Sequence, residues 1–187
     1  MLKAIDHKIM HCYPGMVAIV TVSHQGEDNV MSAGWHSYMS YDPPIYGVAI
    51  GPERYTHHLV KGAGTFAINF LPREKAKFIQ EAGSYSGVDL NKFDHSSMSY
   101  KPGPATGSPI LQDAYVAYEC ETIDYHTYGD HDWFVGDIVQ FHINQDKFLE
   151  NGIPDFRKLS IPLYLGRSLY TSIDQNSRFD SHRIIKE

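Results

Sequence analysis

The chain has 187 residues, 42% hydrophobic and 20% charged, with a formal net charge of −6 and 13% aromatic side chains. That length buries a core without disulfides or metal, and the acidic balance excludes nucleic acid as a bulk electrostatic partner, which needs a basic surface. Cys12 and Cys120 are too few for a disulfide framework and fit a free-thiol protein of the cytoplasm.

The N-terminal stretch MLKAIDHKIMHCYPGM lacks the apolar core of a signal peptide. No apolar run approaches the ~20 residues of a membrane helix, so no membrane partner is expected. MVAIVTVS, Met16 to Ser23, predicts a strand, HQGEDN a turn, and VMSAGWHSYMS the returning strand of a hairpin. YDPP stops that strand, because paired prolines cannot continue a ladder. IYGVAIG predicts a third strand. ERYTHHLVKGAG predicts a short helix with Thr56 as N-cap and glycine at its end. TFAINFL follows as a strand, and PREKAKFIQEAG as a helix with Pro72 near its start and Gly83 at its end.

From Ser84 to Pro109 the abundance of Ser, Gly and Pro predicts mostly loop with one short helical turn. AYVAYECETIDYHTY and WFVGDIVQFHIN predict two long antiparallel strands with GDHD at their turn. The tail segment IPLYLGRSLYTSI is apolar but broken by glycine, and is a plausible interface element. No internal repeat is visible. A single mainly β domain over 1–187 is expected, with a core over about 14–144, a C-terminal tail and a few helices; a barrel would cover the strand edges.

Three stretches carry chemistry. In NVMSAGWHSYMSYDPP the small residues Ser32, Ala33 and Gly34 interrupt a strand just before Trp35 and His36. Such a break marks either a bulge beside a packed tryptophan or close approach by a ligand. In PERYTHHLV, Arg54 offers a fork of donors suited to phosphate, Thr56 adds a hydroxyl, and the opening helix adds amides and a favourable dipole. The alternative is a capped surface helix.

In GDHDWFVGD, Asp130, His131 and Asp132 are adjacent, so their side chains diverge on an extended chain. His57 and His58 have the same defect, and HExxH and paired CxxC are missing, so no metal is assigned. His131 is either a polar turn histidine or a rim histidine aimed at a cofactor and oriented by Asp130. Cys120, in AYECET, reads as a packed strand cysteine rather than a nucleophile. Without GxSxG, GxxxxGK[ST] or GxGxxG, hydrolase and dinucleotide-fold readings have no support.

Together NVMSAGWHSYMSYDPPIYGVAIG, RYTHHLVKGAGTFAINFL, AYECET and GDHDWFVGDIV resemble, in order and spacing, the flavin reductase-like proteins, nearest to the flavoredoxin-type branch. The resemblance runs from about Pro14 to Asn144, with a weaker match at LYLGRSLY. It implies an FMN-binding split β-barrel that forms a homodimer, with FMN near the subunit interface. It implies that Met31, Ser32, Ala33, Gly34, Trp35, His36 and Ser37 line the flavin and that Arg54 and Thr56 lie near its phosphate. It places Asp130 and a catalytic His131 at the flavin and nicotinamide region, and Tyr170 close by. Many relatives carry threonine in place of Ser32 and serine in place of Gly34, so a side-chain contact at Gly34 is lost.

The function this implies is an oxidoreductase in which NADH or NADPH delivers electrons through FMN to a small-molecule or protein acceptor. The rival is an FMN-binding electron carrier reduced by another protein. Either use suits the missing nucleophile motifs, because the redox chemistry belongs to the cofactor.

Overall fold

The β-branched and aromatic runs fold as strands and the prolines and glycines break them. In the computed structural model, which describes residues 1–182, the hairpin Ala18–His24 (β1) and Glu27–Ala33 (β2) opens the chain. His36–Ser40 (β3), Ile45–Ile50 (β4), helix Tyr55–Ala63 (α1) and Thr65–Phe70 (β5) follow. Helices Ala76–Ser84 (α2) and Lys92–His95 (α3) precede the short strands Tyr100–Pro102 (β6) and Pro109–Leu111 (β7). The long strands Val116–Tyr128 (β8) and His131–Ile143 (β9) and the hairpin Ile161–Gly166 (β10) and Leu169–Ile173 (β11) complete the order. The chain is mainly strand with few helices, as expected.

Seven strands form one antiparallel sheet in the order β2-β1-β5-β8-β9-β4-β3. Its two outermost strands, β2 and β3, are consecutive in sequence and separated only by Gly34 and Trp35. The sheet therefore curls until its ends meet, and the seam opens at the segment that carries the small residues.

Strand β1 shows how the core is layered. Val20 and Val22 are fully buried inside the curl with Val48, Phe66, Ile68 and Phe134. Ile19, of opposite parity, is fully buried in a second cluster with Phe78, Ile79 and Phe93 from α2 and α3. A strand covered on both faces reads as a continuous apolar run, and AIVTV does. Each such aliphatic side chain contributes roughly 1.5–3 kcal/mol by leaving water.

Gly136, on β9, is a close-approach position. A Cβ there would lie 2.9 Å from Cys120 Cβ and 2.9 Å from Phe66 Cζ. Cys120 itself is fully buried, a packed strand cysteine.

Several expected boundaries shift for identifiable reasons. VMSAGWHSYMS is two strands, because Gly34 and Trp35 break the ladder between β2 and β3. Thr56 is not the N-cap of α1. Arg54 occupies that position with extended backbone and makes no side-chain cap bond, while Thr56 is turned inward. The expected terminal glycine is present, with Gly64 left-handed at φ 66°. Gly83 lies inside α2, which runs on to Ser84.

The segment from Ser84 to Pro109 contains α3, capped by the Asn91 carboxamide, and strand β6, which pairs with β7. Of GDHD, only Gly129 and Asp130 turn; Gly129 takes a positive φ of 69°, and His131 and Asp132 already belong to β9. The tail is a hairpin packed on the N-terminal segment: Tyr164 exchanges backbone hydrogen bonds with Gly15 at 2.8 and 3.2 Å. Among the described residues no helix is long and apolar enough to cross a membrane.

Candidate flavin-binding site

Where the sheet ends meet, β2 delivers Met31, Ser32 and Ala33 to a pocket of about 420 Å³, and the seam adds Gly34 and Trp35. A Cβ on Gly34 would meet nothing within 4 Å, so the backbone there is bare toward open space. The Ser32 hydroxyl is already committed, donating to the Ile79 carbonyl of α2. The interactions of this strand with a ligand therefore fall mainly to its backbone.

One end of the pocket is cationic. Gly51 and Glu53 lead into Arg54, and Tyr55 and Thr56 open α1, all at the pocket wall. The Arg54 Nε lies 3.1 Å from a Glu53 carboxylate oxygen, and its side chain is largely exposed. The buried Thr56 hydroxyl accepts from Asn29 Nδ2 at 2.8 Å, which leaves its own proton to donate. Lys92, on α3, converges on the same end. It is buried, and Nζ donates to the Ala82 and Tyr85 carbonyls at 3.2 Å each. Burial, and then repulsion by Arg54, lower its pKa to about 8. Lys92 and Arg54 repel each other, and Glu53 beside Arg54 offsets only one of the two charges, so an anionic ligand at this end would offset the other. The first amides of α1 and its dipole favour the same charge.

The other end is aromatic. His131 stacks at a tilt on Trp35, with ring centroids 4.8 Å apart. Its Nδ1 is 2.8 Å from an Asp130 carboxylate oxygen, and this contact holds the Asp130 pKa below the usual carboxylate range.

Behind these two ends, a buried pair fixes their separation. His57 Nε2 on α1 is 2.8 Å from Asp132 Oδ2 at the start of β9. The Thr127 hydroxyl donates to the other oxygen at 2.6 Å, and these bonds keep the Asp132 carboxyl low. His57 follows Thr56 and Asp132 follows His131, so the pair ties the cationic end to the aromatic end.

The structure thus brings together Met31, Ser32, Ala33, Gly34, Trp35, Arg54, Thr56 and His131. It does not bring in His36, whose Nδ1 is 2.6 Å from the Tyr46 hydroxyl and whose Nε2 is 3.1 Å from the Met16 carbonyl. Ser37 is turned along the exposed edge strand and donates to the Tyr38 carbonyl. Asp130 stands behind His131 on the rim. Tyr170 walls a smaller neighbouring recess instead.

Sequence reading missed Lys92 and the loop Ser84–Gly87, which also lines the pocket. DLNKFD reads as a solvated charged stretch; its one local signal was Asn91 as a helix cap. Gly87 is demanded by packing, since a Cβ there would lie 2.4 Å from the Tyr55 ring.

The model of the flavin reductase like domain matches residues 10–174. The chain belongs to that family. An uncharacterized protein of Aeropyrum pernix is 33% identical over 170 residues, covering 89% of this chain, which spans 62% of that relative's length. An NADH-dependent FMN reductase of Streptomyces nodosus is 27% identical over 72% of each chain. Among solved structures, an FMN-binding protein of Thermus thermophilus superposes with a TM-score of 0.85 at 34% identity, over 96% of this chain and all of that one. Flavoredoxin of Desulfovibrio vulgaris (Miyazaki F) gives 0.84 at 22% identity over 97% of each, a likeness of fold. The seamed sheet is therefore the flavin reductase-like split barrel.

Proposed function

We propose that this flavin reductase-like protein is an FMN-dependent oxidoreductase, reduced by NADH or NADPH and passing electrons to a small-molecule or protein acceptor. The observation that carries the reading is the pairing of two cations and a helix N-terminus at one end of the pocket with Trp35 and His131 at the other. FMN has that polarity: a dianionic phosphate at one end, a flat ring with polar edges at the other. When bound, FMN supplies the two-electron chemistry.

The chain's residues do the rest. Arg54, Lys92, the Thr56 hydroxyl and the first amides of α1 hold the phosphate. The bare backbone from Ser32 to Gly34 approaches the ring edge. Asp130 holds His131 Nδ1, which leaves Nε2 to position the nicotinamide or the acceptor. The FMN-binding relative at 34% identity supports the cofactor, and the NADH-dependent relative supports the donor.

Anaerobic mixing with NADH or NADPH tests the donor. The flavin band is expected to bleach with one of them. A band that stays yellow with both, yet bleaches with dithionite, would make the protein a carrier reduced by another protein.

We also propose a homodimer, by family resemblance and because the seam leaves apolar side chains such as Tyr38 and Met39 of β3 exposed. Light scattering is expected to give twice the 21.2 kDa chain mass. A 21.2 kDa particle with FMN bound would contradict it.

A further inference from the structure

Beside the main pocket lies an annex of about 170 Å³ that shares Tyr13, Ser32 and Gly34 with it. It is walled by both ends of the chain. Tyr13 comes from the N-terminal segment, and Tyr164 and Tyr170 come from the two strands of the C-terminal hairpin. The Tyr13 and Tyr164 rings meet edge to face at 5.1 Å, and the Tyr164 and Tyr170 rings meet at a tilt, also at 5.1 Å. The backbone exchange between Gly15 and Tyr164 clamps the two segments in register. This arrangement gives the tail hairpin a use that the split barrel alone does not require.

The chemistry of the walls is narrow. Among the described residues no charged side chain lines the annex, so none of them would compensate an ionic ligand. Its polar groups are hydroxyls and one carboxamide. The Tyr170 hydroxyl donates to Gln80 Oε1 at 3.2 Å. Burial pushes the Tyr170 phenol up to about 12, so that proton stays in the bond to Gln80, while the Tyr164 hydroxyl, which accepts from the Ser168 amide at 3.3 Å, has its own O–H left to donate. Aromatic walls favour a flat ring in offset or edge contact. A recess of about 170 Å³ accommodates one substituted six-membered ring.

We propose that this annex binds a small, flat, uncharged ring compound bearing carbonyl or phenolic oxygens, of the quinone or phenol class. The ring packs between the tyrosines, and its oxygen takes a hydrogen bond from a hydroxyl of the wall. The binding stands on the annex alone. A quinone's part as the electron acceptor, taking two electrons and two protons to leave as the hydroquinone, rests on the flavin reading above, because the shared wall at Ser32 and Gly34 puts the ring next to the candidate flavin pocket.

Calorimetric titration of the purified, oxidised protein with duroquinone tests this without turnover. The fully methylated ring of that probe cannot alkylate the exposed Cys12 thiol. Saturable binding of one ring per chain is expected. Tyr170→Ala should weaken it roughly five- to tenfold, the worth of one aromatic contact, and Tyr170→Phe should stay near wild type. Val17→Phe, which fills the annex from another wall, should weaken binding without removing a tyrosine.

Absence of saturable heat overturns the proposal, as do wild-type affinities in both Tyr170→Ala and Val17→Phe. Loss of bound FMN in Tyr170→Ala also overturns it, by assigning the annex to the flavin itself. A chain that binds the ring but no FMN keeps the annex and sinks the flavin reading. One that holds FMN but no ring does the reverse.

Discussion

Arg54→Ala is expected to weaken FMN binding by roughly ten- to a hundredfold, the loss of one or more charge-assisted bonds worth about 1.5–3 kcal/mol each. Arg54 is largely exposed, and among the described residues its ionic contact is with its neighbour Glu53, so little of the fold depends on it. The thermal midpoint should therefore hardly move. Lys92 is a poorer first choice, because its ammonium also ties Ala82 and Tyr85 together, and its removal mixes binding with stability. Cys120→Ala is the matched control. Burial pushes that thiol well above its ordinary value, so it stays protonated and packs. Its loss should cost stability and leave FMN affinity near wild type. Titration of apo-protein with FMN, followed by flavin fluorescence, reads both variants. Equal dissociation constants for Arg54→Ala and wild type would remove the phosphate role.

His131→Ala is expected to slow flavin reduction by up to ~10²-fold while FMN affinity and thermal stability stay close to wild type. The geometry separates these effects. The histidine's side-chain hydrogen bond is to the exposed Asp130 carboxylate and its ring meets Trp35, at the aromatic end of the pocket. The buried contact between α1 and β9 belongs to its neighbour Asp132, which is bonded to His57 on α1 and to Thr127 on β8. Asp132→Asn should accordingly do the opposite, lowering stability before it touches the reduction rate. Stopped-flow reduction and thermal melting, run on both variants, distinguish a functional histidine from a decorated turn. A wild-type reduction rate in His131→Ala would make His131 structural.

The parts of this site that were legible in the sequence are those set by local chemistry. A glycine and small residues in a strand, an arginine before a helix, and a histidine at a hairpin turn each carry their reason within a few residues. Local chemistry left each with a structural alternative; the family resemblance joined them into one site, and the fold brings the same segments together in space. What was not legible depended on contacts far apart in the chain. Lys92 looks solvated among DLNKFD, and only packing of α3 under the Ala82 and Tyr85 carbonyls makes it a buried cation.

The family resemblance places His36 among the flavin-lining residues. The break at Gly34 resets the strand, and its ring turns to Tyr46, a partner on β4. Thr56 has the sequence of a cap, but Asn29 on β2 draws its hydroxyl inward. Tyr170 falls beside the main pocket because hairpin β10–β11 packs on the N-terminal segment, a pairing of the two ends of the chain that no local pattern records.

The proposed cofactor of the pocket between the ends of the sheet is FMN. Chromatography of the cofactor released on denaturation tests it most directly. A yellow protein that releases FMN, and not FAD, is the expected result. A colourless protein that takes up no FMN when the pure cofactor is added would contradict it.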